Sequence, residues 1–336
     1  MATVLYVTSD RPGTGKTALC IALVRRMLDH GKKAVAFKPV AVVSNGVVTD
    51  ADDYEKLVGR AAGDWPLDLP SEGLSDSLVK QIVATAEKAG DGAEVVIVEG
   101  SSDLSHEDAV RLVEALDAVV LSVIGYRRDL SAEELVPWRE RHGDRLIGFV
   151  INGLTKYMGT ELGEGLLPDL ESQSLPVFGV IPEDRRLLGV SVAQLAEHLN
   201  GTFVADIEDT DGLVEYAMVG GMGMDPGAVH FGLRENKAVI VRGDRPDIQM
   251  AALAASSACL VLTKGIPPIE YVKYEAEQEE VPVMTVPTDT LVTMDAVAGL
   301  IDRARFDHQL KVERFQQLLE QHVDLAALYD SLGLSN

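Results

Sequence analysis

The stretch SDRPGTGKT near the start of the chain has residue types and a spacing that could hold a phosphate. Gly13 and Gly15 carry no side chain, so backbone N–H groups there can converge on phosphate oxygens. The Lys16 ammonium can reach the β- and γ-phosphates of a nucleotide, and the Thr17 hydroxyl can bind Mg²⁺. The usual motif is Gly, four residues and then Gly-Lys-Ser/Thr, but Asp10 stands where the first glycine belongs. The stretch therefore predicts a variant phosphate-binding loop.

The elements on both sides of this loop have the order that phosphate binding requires. The apolar run TVLYVT (3–8) predicts a strand, and TALCIALVRRMLDHG (17–31) has apolar residues at helical spacing. The loop therefore precedes the positively polarised start of a helix. Continuous apolar strands alternate with helices as far as residue 201, which predicts a parallel sheet with helices on both faces. The fold class we expect is α/β, a P-loop NTPase-type sheet followed by a smaller α/β domain.

Six short motifs, in the same order along the chain, resemble those of dethiobiotin synthetases. They are VTSDRPGTGKT (7–17), FKPVA (37–41), TDA (49–51), VIVEG (96–100), VIN (150–152) and GVIPED (179–184). The loop of that family also lacks glycine at the position of Asp10. The resemblance implies that the domain binds ATP and Mg²⁺.

The resemblance also implies roles for individual side chains. Lys16 and Thr17 would hold phosphate and Mg²⁺, and Lys38 would face the γ-phosphate or an acidic substrate. Asp50 and Glu99 would be the acidic ligands of Mg²⁺, whose preference is for oxygen. The predicted catalytic residues are thus Lys16 and Lys38, and the predicted metal ligands are Thr17, Asp50 and Glu99.

The predicted nucleotide contacts extend beyond the lysine and threonine. Arg11 stands where related variant loops carry a lysine that reaches the nucleotide of a partner subunit, and Asn152 stands where the family contacts adenine. The complete predicted set is Arg11, Gly13, Thr14, Gly15, Lys16, Thr17 and Asn152.

Each of these assignments has a plainer alternative that the sequence leaves open. Glu99 could be an ordinary carboxylate at a strand end, and Lys38 a solvated lysine. Asp50 could cap the helix expected over 53–63, or exchange roles with Asp52. Asn152 could simply be a turn residue before Gly153.

One loop departs from the dethiobiotin synthetase pattern. After the glutamate that family usually has Gly-Ala-Gly-Gly, whereas this chain has GSSDLSH (100–106), with one glycine and a polar run. The loop approaches the small substrate in the family. Ordinary dethiobiotin synthesis is therefore not expected.

The second half of the chain resembles a DRTGG domain. The motifs that carry this resemblance are GDRPDIQMAAL (243–253), MVGGMGMDPG (218–227), LTKGIPP (262–268) and VPTDT (286–290). Together the two halves are similar to the N-terminal part of long bacterial phosphotransacetylases, a part regarded as regulatory. Because the sequence contains no acetyl-transferring domain, we do not expect phosphotransacetylase activity. The expected domains are 1–205, 212–305 and a helical tail over 306–336.

The composition excludes several classes of partner. A formal net charge of −23 argues against nucleic acid and anionic membranes as partners. The chain has no apolar run long enough to span a membrane and no basic region before its first strand, so we expect a cytoplasmic protein. Its 2 cysteines lie in apolar stretches and indicate neither a disulfide framework nor a metal site.

Three functions are compatible with these observations. The first is a Mg-ATP-binding regulatory protein that senses or slowly hydrolyses ATP and whose DRTGG domain binds a small effector or a partner. The second is an ATP-dependent ligase or carboxylase-like enzyme that activates a small carboxylic acid or carbamate. The third is a scaffold with a decayed site, which the retained lysine, threonine and acids disfavour. The altered loop and the second domain favour the first function, and the family resemblance implies a homodimer.

Overall fold

The chain folds into two compact units. A computed structural model of the protein describes residues 2–41, 54, 56–58, 66–70, 72–204, 210–221 and 227–334. Unit 1 consists of Met1–Asp184 and Phe306–Asn336, and unit 2 is Arg185–Arg305. The sequence analysis places the boundary at 205–212 and treats the tail as separate, whereas the units divide after residues 184 and 305.

Strands and helices alternate through the described part of both units. The strands are β1 (Thr3–Ser9), β2 (Ala34–Phe37), β3 (Val40–Ala41), β4 (Leu67–Asp68), β5 (Val95–Glu99), β6 (Val119–Gly125), β7 (Leu146–Leu154), β8 (Val177–Pro182), β9 (Val190–Ser191), β10 (Thr202–Phe203), β11 (Leu213–Val214), β12 (Tyr216–Gly220), β13 (Lys237–Arg242), β14 (Cys259–Thr263) and β15 (Val283–Thr285). The helices are α1 (Lys16–Asp29), α2 (Asp76–Ala89), α3 (His106–Ala115), α4 (Val136–His142), α5 (Gly159–Glu164), α6 (Leu166–Ser172), α7 (Val192–Leu199), α8 (Gly227–Phe231), α9 (Pro246–Leu253), α10 (Glu270–Gln278), α11 (Thr290–Ile301), α12 (Gln309–His322) and α13 (Leu325–Ser331).

Unit 1 is built on a six-stranded parallel sheet with the strand order β2-β5-β1-β6-β7-β8. Residues of α2 to α6 pack with Tyr6, Val98 and other residues of the same sheet face. Alternate residues such as Leu5 and Val7 point to the opposite face and are also buried. α1 contacts β1, β2 and β5 and packs on α12. Helices therefore cover both faces, and the predicted α/β fold class is confirmed.

Unit 2 has a smaller sheet with the order β10-β15-β14-β13-β12, in which only β10 is antiparallel to its neighbour. Along β13, Ala238 and Ile240 pack with residues of α7 and α11. Val239 and Val241 pack on the other face, with residues of α8, α9 and α10. α7, which the sequence analysis places in the first domain, therefore contributes to the core of unit 2.

A proline sets the start of α4. The sequence predicts one helix over 131–143, but Pro137 cannot donate a backbone hydrogen bond inside a helix. Ala132–Glu134 form a 3₁₀ turn instead, and α4 begins at Val136 with the proline in its first turn, where the missing N–H has no cost.

None of the helices in the described ranges has both the length and the apolar character that crossing a bilayer requires.

Candidate functional site

The phosphate loop leaves backbone N–H groups available at the start of α1. β1 ends at Ser9 and α1 begins at Lys16. Gly15 is the N-cap residue with a φ of 96°, and within the described chain no side chain caps the helix. Gly13 has a φ of 75°, which glycine adopts without steric cost. Because the first N–H groups of a helix have no partner within it, this end can receive an anion.

Asn152, near the carboxyl end of β7, contacts this loop. Its Nδ2 donates a hydrogen bond to the carbonyl oxygen of Thr14 at 2.8 Å. A Cβ at position 15 would lie 2.5 Å from that Nδ2, and glycine adopts the φ of 96° there without steric cost, so both features favour glycine at this position. Asn152 therefore braces the loop backbone, and its predicted contact with adenine stays a prediction.

Asp10 connects the loop to the end of β6. Its Oδ1 accepts a hydrogen bond from the backbone N–H of Gly125 at 3.1 Å. Its Oδ2 lies 3.0 Å from Nη1 of Arg11 and 3.3 Å from Nη1 of Arg127. The Arg11 side chain is 42% exposed, and its Nη2 donates to the carbonyl oxygen of Tyr126 at 3.4 Å. The residue that replaces the usual glycine thus fixes the loop with one carboxylate and two guanidinium groups.

Lys16 is buried at the centre of the loop. Its Nζ donates hydrogen bonds to Ser9 Oγ and Ser102 Oγ, both at 2.7 Å. Burial lowers the pKa of Lys16 from its ordinary value, an effect that the charge of Glu99 opposes and that of Lys38 increases. The ammonium group is therefore held beside the loop by two hydroxyls, one at the end of β1 and the other in the divergent 100–106 loop.

Glu99 ends β5 and is buried against the start of α1. Its Oε1 accepts a hydrogen bond from Thr17 Oγ1 at 2.9 Å and lies 3.6 Å from Nζ of Lys38. Residue 99 is only 1% exposed, because β5 pairs with β1 and places it beside Val7. Thr17 and Glu99 thus present oxygen atoms to the same space, and oxygen is the ligand that a hard cation prefers.

Tyr54 completes the surroundings of this carboxylate. Its hydroxyl donates to Glu99 Oε2 at 2.5 Å, and its side chain also contacts Cys20. Burial, with the nearby Cys20 and Glu99, raises the pKa of Tyr54 well above its ordinary value, so the hydroxyl keeps its proton. No sequence motif points to Tyr54, because a contact between residues 45 positions apart leaves no local pattern.

The described residues bring most of the predicted site together. Those at the loop or touching it are Arg11, Gly13, Thr14, Gly15, Lys16, Thr17, Lys38, Glu99 and Asn152. Asp50 and its alternative Asp52 lie outside the described residues. Within the described ranges, no three His, Cys, Asp or Glu side chains are grouped as a metal site would need.

The motifs GDRPDIQMAAL, LTKGIPP and VPTDT of unit 2 lie at the carboxyl ends of β13, β14 and β15, whereas residues 222–226 of the motif MVGGMGMDPG lie outside the described residues. Gly243 follows β13 against Ile266, whose carbonyl leaves no room for a Cβ at position 243. Arg245 donates to both carboxylate oxygens of Asp247, at 2.9 and 2.7 Å. Asp289 caps α11 by accepting from the backbone N–H groups of Leu291 and Val292, both at 3.0 Å. The charged residues of these motifs therefore hold turns and helix ends.

Comparison with known protein families identifies the second half of the chain. Residues 194–300 match the sequence model of the DRTGG domain. The chain carries a DRTGG domain. The prediction from GDRPD and its companion motifs is confirmed, and the matched range covers most of unit 2, including α7 from residue 194 onward.

Proteins similar to the whole chain are phosphate acetyltransferases. The enzyme of Deinococcus radiodurans is 25% identical over 360 residues, an alignment that covers 96% of this chain and 50% of that protein. The chain thus spans about half the length of the curated relatives that it matches. This confirms the predicted similarity to part of the phosphotransacetylases, whereas the likeness to dethiobiotin synthetases stays a prediction.

Similarity to solved structures is more distant. The MinD cell division protein of Aquifex aeolicus has 18% identity and a TM-score of 0.38, covering 56% of this chain and 85% of its own. The CBS and DRTGG domains of Clostridium perfringens pyrophosphatase, solved with diadenosine tetraphosphate, have 16% identity and a TM-score of 0.30, covering 46% and 74%. We draw no functional conclusion from likenesses at this level.

Proposed function

We propose that this protein binds Mg-ATP at the phosphate loop of unit 1 and has a regulatory role, with the DRTGG domain binding an effector or a partner. The observation that carries the proposal is the convergence of Lys16, Thr17 and Glu99 at the uncapped start of α1. A buried ammonium and a set of backbone N–H groups there offer the charge and the donors that a triphosphate requires.

The proposed phosphate contacts follow from the orientation of the loop. The N–H groups from Gly13 to Thr17 would bind the phosphate oxygens, and Lys16 would bind the β- and γ-phosphates. Ser9 and Ser102 now accept the hydrogen bonds of the Lys16 ammonium, each at 2.7 Å. A phosphate oxygen would replace at least one of these neutral acceptors with a charged one, and hydrogen bonds between charged groups are stronger.

The residues at the loop fit a magnesium ion. Thr17 Oγ1 and Glu99 Oε1 are 2.9 Å apart, and both are the hard oxygen ligands that Mg²⁺ selects. Bound there, Mg²⁺ would neutralise charge on the phosphate oxygens. We propose Asp50, or Asp52 in its place, as a further ligand on the strength of the sequence alone. Arg11 would reach the nucleotide of a partner subunit, and Asn152 would contact the adenine.

A second function, that of an ATP-dependent ligase, is favoured by one observation. Lys38 places a second ammonium 3.6 Å from Glu99, so two cations lie at the position where charge would develop during phosphoryl transfer to a carboxylic acid. The polar 100–106 loop argues for the regulatory role, because Ser102 from this loop contacts Lys16 at a position where the dethiobiotin synthetase pattern has glycine.

Calorimetric titration with ATP and Mg²⁺ tests the proposal. We expect the wild-type protein to bind, and Lys16→Ala to lower the affinity about 10- to 100-fold, because charge-assisted hydrogen bonds worth roughly 1.5–3 kcal/mol are lost. Lys80→Ala, an exposed lysine on α2, is the matched control and should bind like the wild type. Absence of binding by the wild type, or equal binding by Lys16→Ala, would contradict the proposal.

Phosphate release separates the two functions. A regulatory protein should release phosphate slowly and at a rate that a panel of small carboxylic acids leaves unchanged. Stimulation of more than about tenfold by one acid, lost in Lys38→Ala, would favour the ligase instead.

A further inference from the structure

Tyr54 is a buried polar side chain that neither the sequence motifs nor the phosphate loop explains. The residue is 4% exposed, and its hydroxyl donates to Glu99 Oε2 at 2.5 Å. It follows the acidic stretch TDADD, which contains the predicted metal ligand Asp50.

The two oxygens of Glu99 have different partners. Oε1 receives the hydrogen bond of Thr17 and faces the Lys38 ammonium, whereas Oε2 receives that of Tyr54. A carboxylate that is 1% exposed must satisfy its lone pairs within the protein, since desolvation without hydrogen bonds is costly. With Oε2 held by a donor on one side, the carboxylate cannot turn, and Oε1 stays directed at Thr17.

We propose that Tyr54 is a positioning residue for the magnesium site: its hydroxyl fixes Glu99 in the orientation that lets Oε1 and Thr17 Oγ1 share one Mg²⁺. The inference rests on the proposed function and adds a residue outside the recognised motifs. Tyr54 touches neither metal nor nucleotide, and it acts through Glu99 alone.

Tyr6 provides a matched control, because it is another buried tyrosine of unit 1. It is 1% exposed, and its hydroxyl lies against Gly100, the residue after Glu99, so that a Cβ at position 100 would be 2.5 Å from it. Among the described residues, the hydrogen bond from a tyrosine to the Glu99 carboxylate comes from Tyr54. Removal of either hydroxyl takes one oxygen atom from a buried aromatic ring, but only Tyr54→Phe frees the carboxylate.

The experiment compares Tyr54→Phe and Tyr6→Phe by calorimetric titration with ATP, over a series of Mg²⁺ concentrations and in EDTA. For Tyr54→Phe we expect about a tenfold loss of affinity for Mg-ATP, because one charge-assisted hydrogen bond to the Glu99 carboxylate is lost and only part of its strength is coupled to the metal. The Mg²⁺ concentration that gives half of the Mg²⁺-dependent gain in ATP affinity should be higher for Tyr54→Phe than for the wild type. The affinity of the variant for ATP in EDTA should stay within about twofold of the wild-type value. Tyr6→Phe should match the wild type throughout.

Two outcomes would overturn the inference. One is Tyr54→Phe binding Mg-ATP like the wild type. The other is an equal loss of affinity with Mg²⁺ and in EDTA, which a merely structural role would give. A protein that binds no ATP in its wild-type form contradicts the proposed function itself, whereas wild-type binding that depends on Lys16 but not on Tyr54 contradicts only this inference.

A comparison of Glu99→Gln with the double variant Glu99→Gln/Tyr54→Phe separates an effect on the metal site from a general loss of folding stability. In a Glu99→Gln background the carboxylate is already absent, so Tyr54→Phe should change the Mg²⁺ dependence no further. A loss that persists in that background at full size would also overturn the inference. Thermal unfolding of each variant, followed by circular dichroism, sets the titration temperature below the unfolding transition.

Discussion

At the scale of single residues, the acid at position 10 illustrates how a variant motif can be stable. Asp10 accepts the Gly125 N–H and lies between the guanidinium groups of Arg11 and Arg127. A glycine there would restore the common spacing of the motif but would leave the Gly125 N–H and two cations without this acceptor. The substitution is therefore an anchor for the loop rather than a defect.

We expect Asp10→Gly to lower the free energy of unfolding by about 1–2 kcal/mol, because a hydrogen bond and two partly exposed ion pairs are lost. Its affinity for ATP should not rise above that of the wild type. Asp10→Asn, which keeps an acceptor for Gly125, should lose less stability. Denaturant unfolding and calorimetry measure both quantities, and a gain in ATP affinity for Asp10→Gly would count against the anchoring role.

The sequence predicts the residues of the site better than their contacts. Lys16 and Glu99 stand out as candidates in the sequence because the loop spacing and the strand end are local patterns. The hydrogen bond from Lys16 to Ser102 joins residues 86 positions apart, and the Tyr54–Glu99 bond joins residues 45 apart. Such contacts depend on the order of strands in the sheet, which no single stretch of sequence encodes.

At the scale of elements, the end of α4 buries an ionisable ring in the core of unit 1. His142 is 8% exposed and stacks on Trp138, with ring centroids 6.1 Å apart. Burial, followed by the charges of Arg141 and His106, lowers the pKa of His142 to about 4. Protonation of this ring therefore opposes folding.

The stability of unit 1 should depend on pH through His142. The unfolded chain binds the proton below about pH 6.5, whereas the folded protein binds it only near pH 4, so stability falls as the pH drops through this window. The full loss is about 3 kcal/mol. His142→Gln should narrow the difference in unfolding free energy between pH 7 and pH 4, as measured by denaturant titration at each pH. His198→Gln, at an exposed histidine, is the control. If the unfolding free energy of His142→Gln depended on pH as strongly as that of the wild type, the role given to His142 would be refuted.

Helices and strands were predictable where apolar periodicity was strong, but their partners were not. The stretch 190–201 reads correctly as a helix, and α7 occupies Val192–Leu199. Periodicity shows that one face of this helix is buried but not which core it joins. In the structure Leu195 and Leu199 pack with Ile240 of the second sheet.

At the scale of the whole molecule, the chain leaves unit 1 and returns to it. α12 packs on α1, the helix that follows the phosphate loop, and Glu320 pairs with Arg26. The segment between α12 and α13 then runs along β8, where Asp324 donates its backbone N–H to the Phe178 carbonyl oxygen at 2.7 Å. Residues after the DRTGG domain therefore cover one edge of the six-stranded sheet of unit 1. The sequence alone predicts only a helical tail, because an apolar helix face does not indicate which element it packs against.

Gly179 permits this return, because a Cβ at position 179 would overlap the His322 carbonyl and lie 2.6 Å from the Val323 α-carbon. We expect Gly179→Ala to push the C-terminal segment off β8 and to destabilise unit 1 by about 2 kcal/mol. Gly159→Ala, at the start of α5 with nothing within 4 Å of its Cβ position, should be neutral or slightly stabilising. Thermal unfolding of both variants checks this, and equal midpoints would contradict the packing described. The homodimer predicted from the sequence stays a prediction at this scale.

The most direct test of the central claim is a crystal structure of the protein with Mg²⁺ and a non-hydrolysable ATP analogue. The account predicts a triphosphate on the N–H groups of Gly13 to Thr17, with Lys16 at its β- and γ-phosphates and the metal bound by Thr17 and Glu99. A nucleotide bound elsewhere, or crystals grown at saturating nucleotide with this loop empty, would contradict it.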